Sequence, residues 1–165
     1  MMKKVVRNYL EIKSLNKLLE IKKPNQNCYL EKISSNDFQL NKFLYKQIGK
    51  NHKWIDRLVW TDKNWIKYTS DPNLFSFVLK NNDEIAGFFE LIIHKNKLEV
   101  EIAYFGLLEE YFGKKLGGYL LSEAIKISWK FNIHRTWVHT CSHDHKNALN
   151  NYLARGMSIF HSEII

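Results

Sequence analysis

Cysteine and proline are both scarce in this sequence. Cys28 and Cys141 stand far apart with no CxxC partner in 165 residues, which excludes a disulfide framework and a finger-type zinc site and fits a reducing compartment. With Pro24 and Pro72 as its two prolines and no low-complexity run, the chain has no linker that would divide it, and its length suits one domain that buries about two-thirds of its unfolded surface. No window approaches the roughly 20 apolar residues of a membrane span. The segment Met1 to Arg7 is charged and lacks the apolar core of a secretion signal. A cytoplasmic protein with no membrane partner is expected.

Arginine is also rare. Arg7, Arg57, Arg135 and Arg155 are the arginines among 25 basic residues, although the net charge is +8. A nucleic-acid-binding face favours clustered arginine interleaved with aromatics. The abundance of lysine, asparagine and isoleucine fits an AT-rich coding bias instead, so no nucleic-acid partner is expected.

The order of elements predicted from pattern is α+β. Residues 1–24 are lysine-rich, with apolar positions at Leu10, Ile12, Leu15, Leu18 and Leu19 before Pro24, and suggest a peripheral arm or short helix ahead of a domain over 25–165. Cys28 to Ile33 reads as a strand, and Ser35 or Asn36 as the cap of a helix that runs to Gly49. A second helix is predicted over Thr61 to Tyr68. Leu74 to Leu79 and Ile85 to His94 make a hairpin around Asn81-Asn82-Asp83, followed by a strand from Lys97 to Leu107. Downstream, Leu116, Leu120, Ala124, Ile127 and Phe131 form one apolar helical stripe. His134 to Cys141 is a strand, Lys146 to Ala154 a helix ended by Gly156, and Met157 to Ile165 a last strand.

Between the strand ending at Leu107 and the stripe lies Tyr111-Phe112-Gly113-Lys114-Lys115-Leu116-Gly117-Gly118-Tyr119. Glycines at a helix start bring free backbone N–H groups and the positive end of the helix dipole close to an anion such as a pyrophosphate. Spacing separates the loop types. A Walker loop requires Lys after its second glycine, and here Tyr119 follows Gly118. A Rossmann loop requires G-x-G-x-x-G, which Lys115 and Leu116 break.

The loop resembles the pyrophosphate loop of the GNAT superfamily of acyl-CoA-dependent N-acyltransferases, Q/R-x-x-G-x-G/A, laid on Phe112 to Gly117. Phe112 stands at the usual Gln or Arg and Lys115 at the first Gly; a lysine there is accommodated if it points outward with helical φ. A second block, Trp137 to Met157, is similar to the closing strand and helix of that superfamily, N-x-x-A-x-x-x-Y-x-x-x-G-F. Ala148, Tyr152 and Gly156 keep its spacing, with His145 in place of Asn and Met157 in place of Phe. More narrowly, Trp137 to Gly156 resembles a bacterial subgroup pattern, W-V-H-T-C-x-x-D-H-P-x-A-L-x-x-Y-x-x-R-G, with Lys146 replacing proline.

The resemblance implies a GNAT fold: a mixed, mostly antiparallel sheet flanked by helices, with a splayed strand pair that binds acyl-CoA. It implies an N-acetyltransferase that moves an acetyl group from acetyl-CoA to a primary amine by direct attack in a ternary complex. The donor would lie on Phe105, Gly106, Leu107, Gly113, Lys114, Lys115, Leu116, Gly117 and Gly118. By the same resemblance, Tyr152 occupies the position of the acid that protonates the departing thiolate. The base is a strand carboxylate sixteen residues before Gly117, which is Glu101, with Glu90 on the neighbouring strand in reserve. Glu101 also fits as the polar half of the alternation Leu98, Val100, Ile102, Tyr104.

Acceptor binding falls to the first helices and their loop, where Trp54, Asp56 and Arg57 are candidates together with Glu90. Asp56 suits a cationic amine, and Trp54 or Trp60 a cation–π wall. His139, Cys141, His143 and His145 alternate as soft donors, yet ligands on one strand converge tetrahedrally only if it bends, so no metal is expected. The partner expected is a small-molecule or peptide amine, bound by a monomer or homodimer. A non-catalytic acyl-CoA-binding or sensing module of the same fold stays open, because of Phe112 and Lys115.

Overall fold

Backbone geometry bears out the hairpin: Asn82 and Asp83 have φ of +53° and +65°, the left-handed pair that a two-residue turn of the right twist requires and that Asn and Asp tolerate. The computed structural model describes residues 3–165. Its strands are β1 (Val6–Ile12), β2 (Cys28–Lys32), β3 (Leu74–Asn81), β4 (Glu84–His94), β5 (Glu99–Leu107), β6 (Arg135–Cys141) and β7 (Ser158–Ile164). The helices are α1 (Phe38–Gly49), α2 (Asp62–Thr69), α3 (Leu116–Ser128) and α4 (Ala148–Ala154). One sheet holds the strands in the order β2-β3-β4-β5-β6-β1-β7. Every neighbouring pair is antiparallel except β5 and β6, which run parallel.

The first strand corrects the expectation for residues 1–24. Val6–Ile12 is an inner strand, paired with β6 on one side and β7 on the other, and Leu10 and Ile12 are buried. Their alternation follows the strand period, and the partners that stabilise it lie more than a hundred residues away. Met1 and Met2 fall outside the described residues.

The two faces of the sheet carry different layers. On one, α3 sets Leu116, Leu120, Ala124 and Ile125 against Phe89, Leu91, Val100, Ile102, Val138 and Leu10. Three positions of the expected stripe hold; Ile127 is only partly buried, and Phe131 lies past the helix end, 5.0 Å from Phe75 between ring centroids. On the other face, Leu44 and Ile48 of α1 pack on Val78 and Phe88. Asp37 caps α1, one residue beyond the expected Asn36, by accepting from the Leu40 N–H at 3.2 Å. The α2 start is a capping box between Thr61 and Asn64, which supplies acceptors to otherwise orphaned N–H groups.

Candidate active site

The site begins with a split in the sheet. β5 and β6 are in register only from Glu99 opposite Arg135 to Ile102 opposite Val138. Beyond that, Tyr104 to Leu107 pair with β4 alone and His139 to Cys141 with β1 alone. A β-bulge contributes to the divergence. Ile102 faces Leu91 and Tyr104 faces Glu90, which leaves Ala103 as the extra residue. Glu101, opposite Ile92, and Tyr104, opposite Glu90, therefore share one face of the sheet.

A cavity of about 920 Å³ fills the split, reaching from the loop at residues 52–57 on the α1 face to the starts of α3 and α4 on the other. Of the expected donor-binding residues, Phe105, Gly106, Leu107, Gly113, Lys115, Leu116, Gly117 and Gly118 line it. Lys114 does not; its ammonium lies over the Tyr111 ring, 5.3 Å from the centroid.

The glycine loop presents its main chain to this cavity. Among the described residues, the N–H groups of Gly113 through Gly118 donate to no carbonyl and no side chain. Six free donors at a helix start form a nest for an anion. A Cβ on Gly118 would collide with the Arg155 guanidinium, and one on Gly117 would lie 3.6 Å from Asn151 Nδ2. The Asn151 amide also donates to the Gly117 carbonyl at 3.1 Å, which fastens α4 to the start of α3.

Lys115 departs from its expected helical φ: it adopts φ +63° and ψ 14°, the left-handed conformation, at the N-cap of α3. It keeps the backbone shape that glycine adopts most easily, with its side chain exposed. Phe112 closes the far side of the loop, its ring edge-on to His145 at 4.6 Å between centroids.

Tyr152 projects from α4 into the cavity wall. It is 5% exposed and packs 6.1 Å from the Phe105 ring. Its hydroxyl has no hydrogen-bond partner among the described residues. Burial, with the Asp144 carboxylate as a smaller cause, holds the phenol well above its ordinary pKa, so it is a neutral O–H donor at physiological pH. Asp144 itself accepts from the Thr140 hydroxyl and from the Cys141 N–H at 3.1 Å, which shapes the turn between β6 and α4.

At the opposite end, Asp56 is exposed to the cavity, held by two phenols. Its carboxylate accepts from Tyr45 at 3.0 Å and from Tyr104 at 2.7 Å. Burial pushes the Tyr45 phenol up to about 12, and burial followed by the Asp56 hydrogen bond raises Tyr104 further. Trp54 stands edge-on to Tyr104 at 4.8 Å. A carboxylate fixed by two donors beside an indole is arranged to receive a cation.

Arg57 and Glu90 form a buried pair at the edge of the cavity. Arg57 borders the cavity but is 5% exposed, and its guanidinium donates to Glu90 at 3.1 Å. Glu90 does not line the cavity. It is fully buried and also accepts from Asn41 at 2.9 Å and Tyr68 at 2.7 Å. Burial opposes the Arg57 charge, and Glu90 together with the Tyr68 and Tyr104 phenols more than offsets it. This pair fixes the loop that carries Trp54 and Asp56.

Glu101 lines the cavity with its side chain 18% exposed, and its carboxylate is 2.9 Å from His94 Nε2. Sequence reasoning did not reach His94, Tyr104, Asn151 or Asp144 as site residues. The one signal for Tyr104 was its place in the alternation of β5, and the bulge at Ala103 alters that alternation.

The model of the acetyltransferase (GNAT) family matches residues 16–157. No curated protein sequence matches the chain. Among solved structures, it is similar to an aminoglycoside acetyltransferase from an uncultured soil metagenomic sample, at a TM-score of 0.67 and 14% identity over 81% of this chain and 90% of that one. It is similar to a GCN5-related N-acetyltransferase from Sphaerobacter thermophilus, at a TM-score of 0.71 and 14% identity over 99% of this chain, and to one from Kribbella flavida, at 0.70 and 10% over 96%. The chain spans 51% and 56% of the lengths of these last two. With a mixed seven-stranded sheet split between its parallel strands and a family match over most of its length, this chain belongs to the GNAT acetyltransferase family and has its fold.

Proposed function

We propose that this protein is an N-acetyltransferase that moves the acetyl group of acetyl-CoA to a primary amine by direct attack, with both substrates bound. The observation that carries the reading is a convergence. The free N–H nest, the unpartnered Tyr152 hydroxyl and the Glu101 carboxylate all border one cavity.

The residues present fit the donor. The Gly113 to Gly118 nest suits its pyrophosphate, with Lys115 adding positive charge nearby. The unpaired edge of Ala103 to Leu107 suits the amides of its pantetheine arm, since strand-like pairing needs backbone groups and no particular side chain. Bound there, acetyl-CoA supplies an activated acyl group and a thiolate leaving group.

Glu101 accepts a proton from the acceptor ammonium and leaves a neutral, nucleophilic amine. Tyr152 gives its phenolic proton to the departing sulfur. Asp56 holds the acceptor's positive charge against Trp54, and the Arg57–Glu90 pair keeps that loop in place. The acceptor is a small-molecule or peptide amine.

Thiol release from acetyl-CoA with pooled primary amines tests this. The reading predicts turnover with at least one pool that falls sharply in Glu101→Gln and in Tyr152→Phe. A chain that binds acetyl-CoA and releases no thiol with any amine is instead the binding or sensing module.

A further inference from the structure

Glu101 has one side on the cavity and its other side on a residue outside it. Its carboxylate lines the substrate space, whereas His94, whose Nε2 lies 2.9 Å from Glu101 Oε1, is absent from that lining. The His94 side chain is 36% exposed. It sits at the end of β4, followed by the exposed turn Lys95 to Leu98.

The neighbours of Glu101 hold this arrangement. Ile92 stands opposite Glu101 on β4 and Trp137 opposite it on β6. The Trp137 and His94 rings stack at 6.2 Å with 23° between their planes. The indole thus fixes the imidazole plane while the carboxylate takes one of its nitrogens. The bordering charges are already paired: Arg135 donates to Glu99 at 2.7 Å and to Glu11 at 3.0 Å. Glu101 is the carboxylate that His94 meets within hydrogen-bond distance.

A base that works beneath two bound substrates has to discharge its proton before the next cycle, and the substrates block the way it came. We propose that His94 is the exit for that proton, a positioning and relay residue for Glu101. This rests on the reading of Glu101 as the base. The acceptor ammonium gives a proton to Glu101, and the carboxylic acid passes it to His94 Nε2. The imidazolium then loses a proton from Nδ1 to water. The carboxylate is restored, and the ring, now protonated on Nε2, returns to its Nδ1–H tautomer by taking a proton from water at Nδ1 and releasing the Nε2 proton to water, so that one proton leaves per cycle and no other reactant is consumed.

The test compares His94→Gln, His94→Ala and Glu101→Gln with the wild type, using acetyl-CoA and the amine pool that gives turnover. A glutamine amide still donates to Glu101 but cannot carry a proton through. His94→Gln and His94→Ala should each lower kcat about tenfold with KM for acetyl-CoA unchanged, and added imidazole should restore much of the loss in His94→Ala. Glu101→Gln should not respond to imidazole.

Full turnover in His94→Gln would show that the histidine only holds the carboxylate, which overturns the relay and leaves Glu101 as the base. Loss in His94→Ala without imidazole rescue, in a protein that unfolds at the wild-type temperature, would overturn it too. If no amine is turned over, the proposed function fails first. Nitrogen-15 NMR of the His94 ring then decides the pair: unchanged ring nitrogens in Glu101→Gln would show no hydrogen bond to carry the proton.

Discussion

Arg57 and Glu90 form an ion pair 3.1 Å long, with side chains 6% and 0% exposed, beneath α1 and α2. The guanidinium lies 4.0 Å from the centroid of the Tyr68 ring, 4.2 Å from Tyr104 and 4.7 Å from Trp60. A charge this enclosed depends on its partner, and the loop that bears Trp54 and Asp56 depends on both.

Removing one partner strands the other. Arg57→Ala leaves Glu90 buried with only Asn41 and Tyr68 as donors, and should destabilise the fold by about 3–5 kcal/mol. Denaturant unfolding measures it. A loss below about 1 kcal/mol would mean that water reaches Glu90 and that the pair does not hold the loop.

Tyr152→Phe deletes the unpartnered hydroxyl and keeps the ring against Phe105. Turnover should fall roughly 10- to 100-fold with acetyl-CoA affinity nearly unchanged. Since burial raises this phenol well above its ordinary value, wild-type turnover should show no loss assignable to Tyr152 up to about pH 10. Unchanged turnover in the variant would remove the residue from the mechanism.

Lys115 holds a left-handed backbone that costs an L-residue about 1 kcal/mol. Lys115→Gly should raise stability by up to that amount, reduced by the extra entropy of glycine in the unfolded chain, and preserve acetyl-CoA binding. Lys115→Val, stiff at its β-carbon, should lower both. Thermal unfolding with and without acetyl-CoA reads the two effects together.

The Tyr45 phenol moves from an ordinary value of 10 to about 12. Its folded-state value is the higher one, so its contribution to stability is whole below pH 10 and disappears as the pH climbs through 12. Unfolding midpoints should therefore decline from about pH 10 upward, and Tyr45→Phe should decline less steeply. That variant also orphans the buried Arg57 N–H, which donates to the Tyr45 hydroxyl at 2.9 Å, and should start about 1–3 kcal/mol less stable.

Local chemistry made much of the fold legible. The Asn82-Asp83 turn and the Thr61 cap are decided by residues within a few positions, and their elements formed where expected. β1 is different: its only strand signal is the burial of Leu10 and Ile12, and a lysine-rich segment conceals it until β6 and β7 are in place. In the site, glycine spacing located the nest because backbone exposure is a local property. The pairing and burial of Glu90 and Arg57 were illegible, since whether a charge meets a buried partner depends on α2, a separate element. Lys115 shows the same limit, because a loop can impose glycine geometry on a residue that does not favour it.

The central claim is that the Gly113 to Gly118 nest holds the donor, and thermal unfolding with acetyl-CoA tests it most directly. At 100 times its dissociation constant a ligand adds about 2.7 kcal/mol, which in a chain of this size raises the midpoint by about 5–10 °C. A rise of this order with acetyl-CoA, and not with AMP or ATP, is the predicted result. No rise at millimolar acetyl-CoA would contradict the account, and the family membership would then describe the fold without its donor.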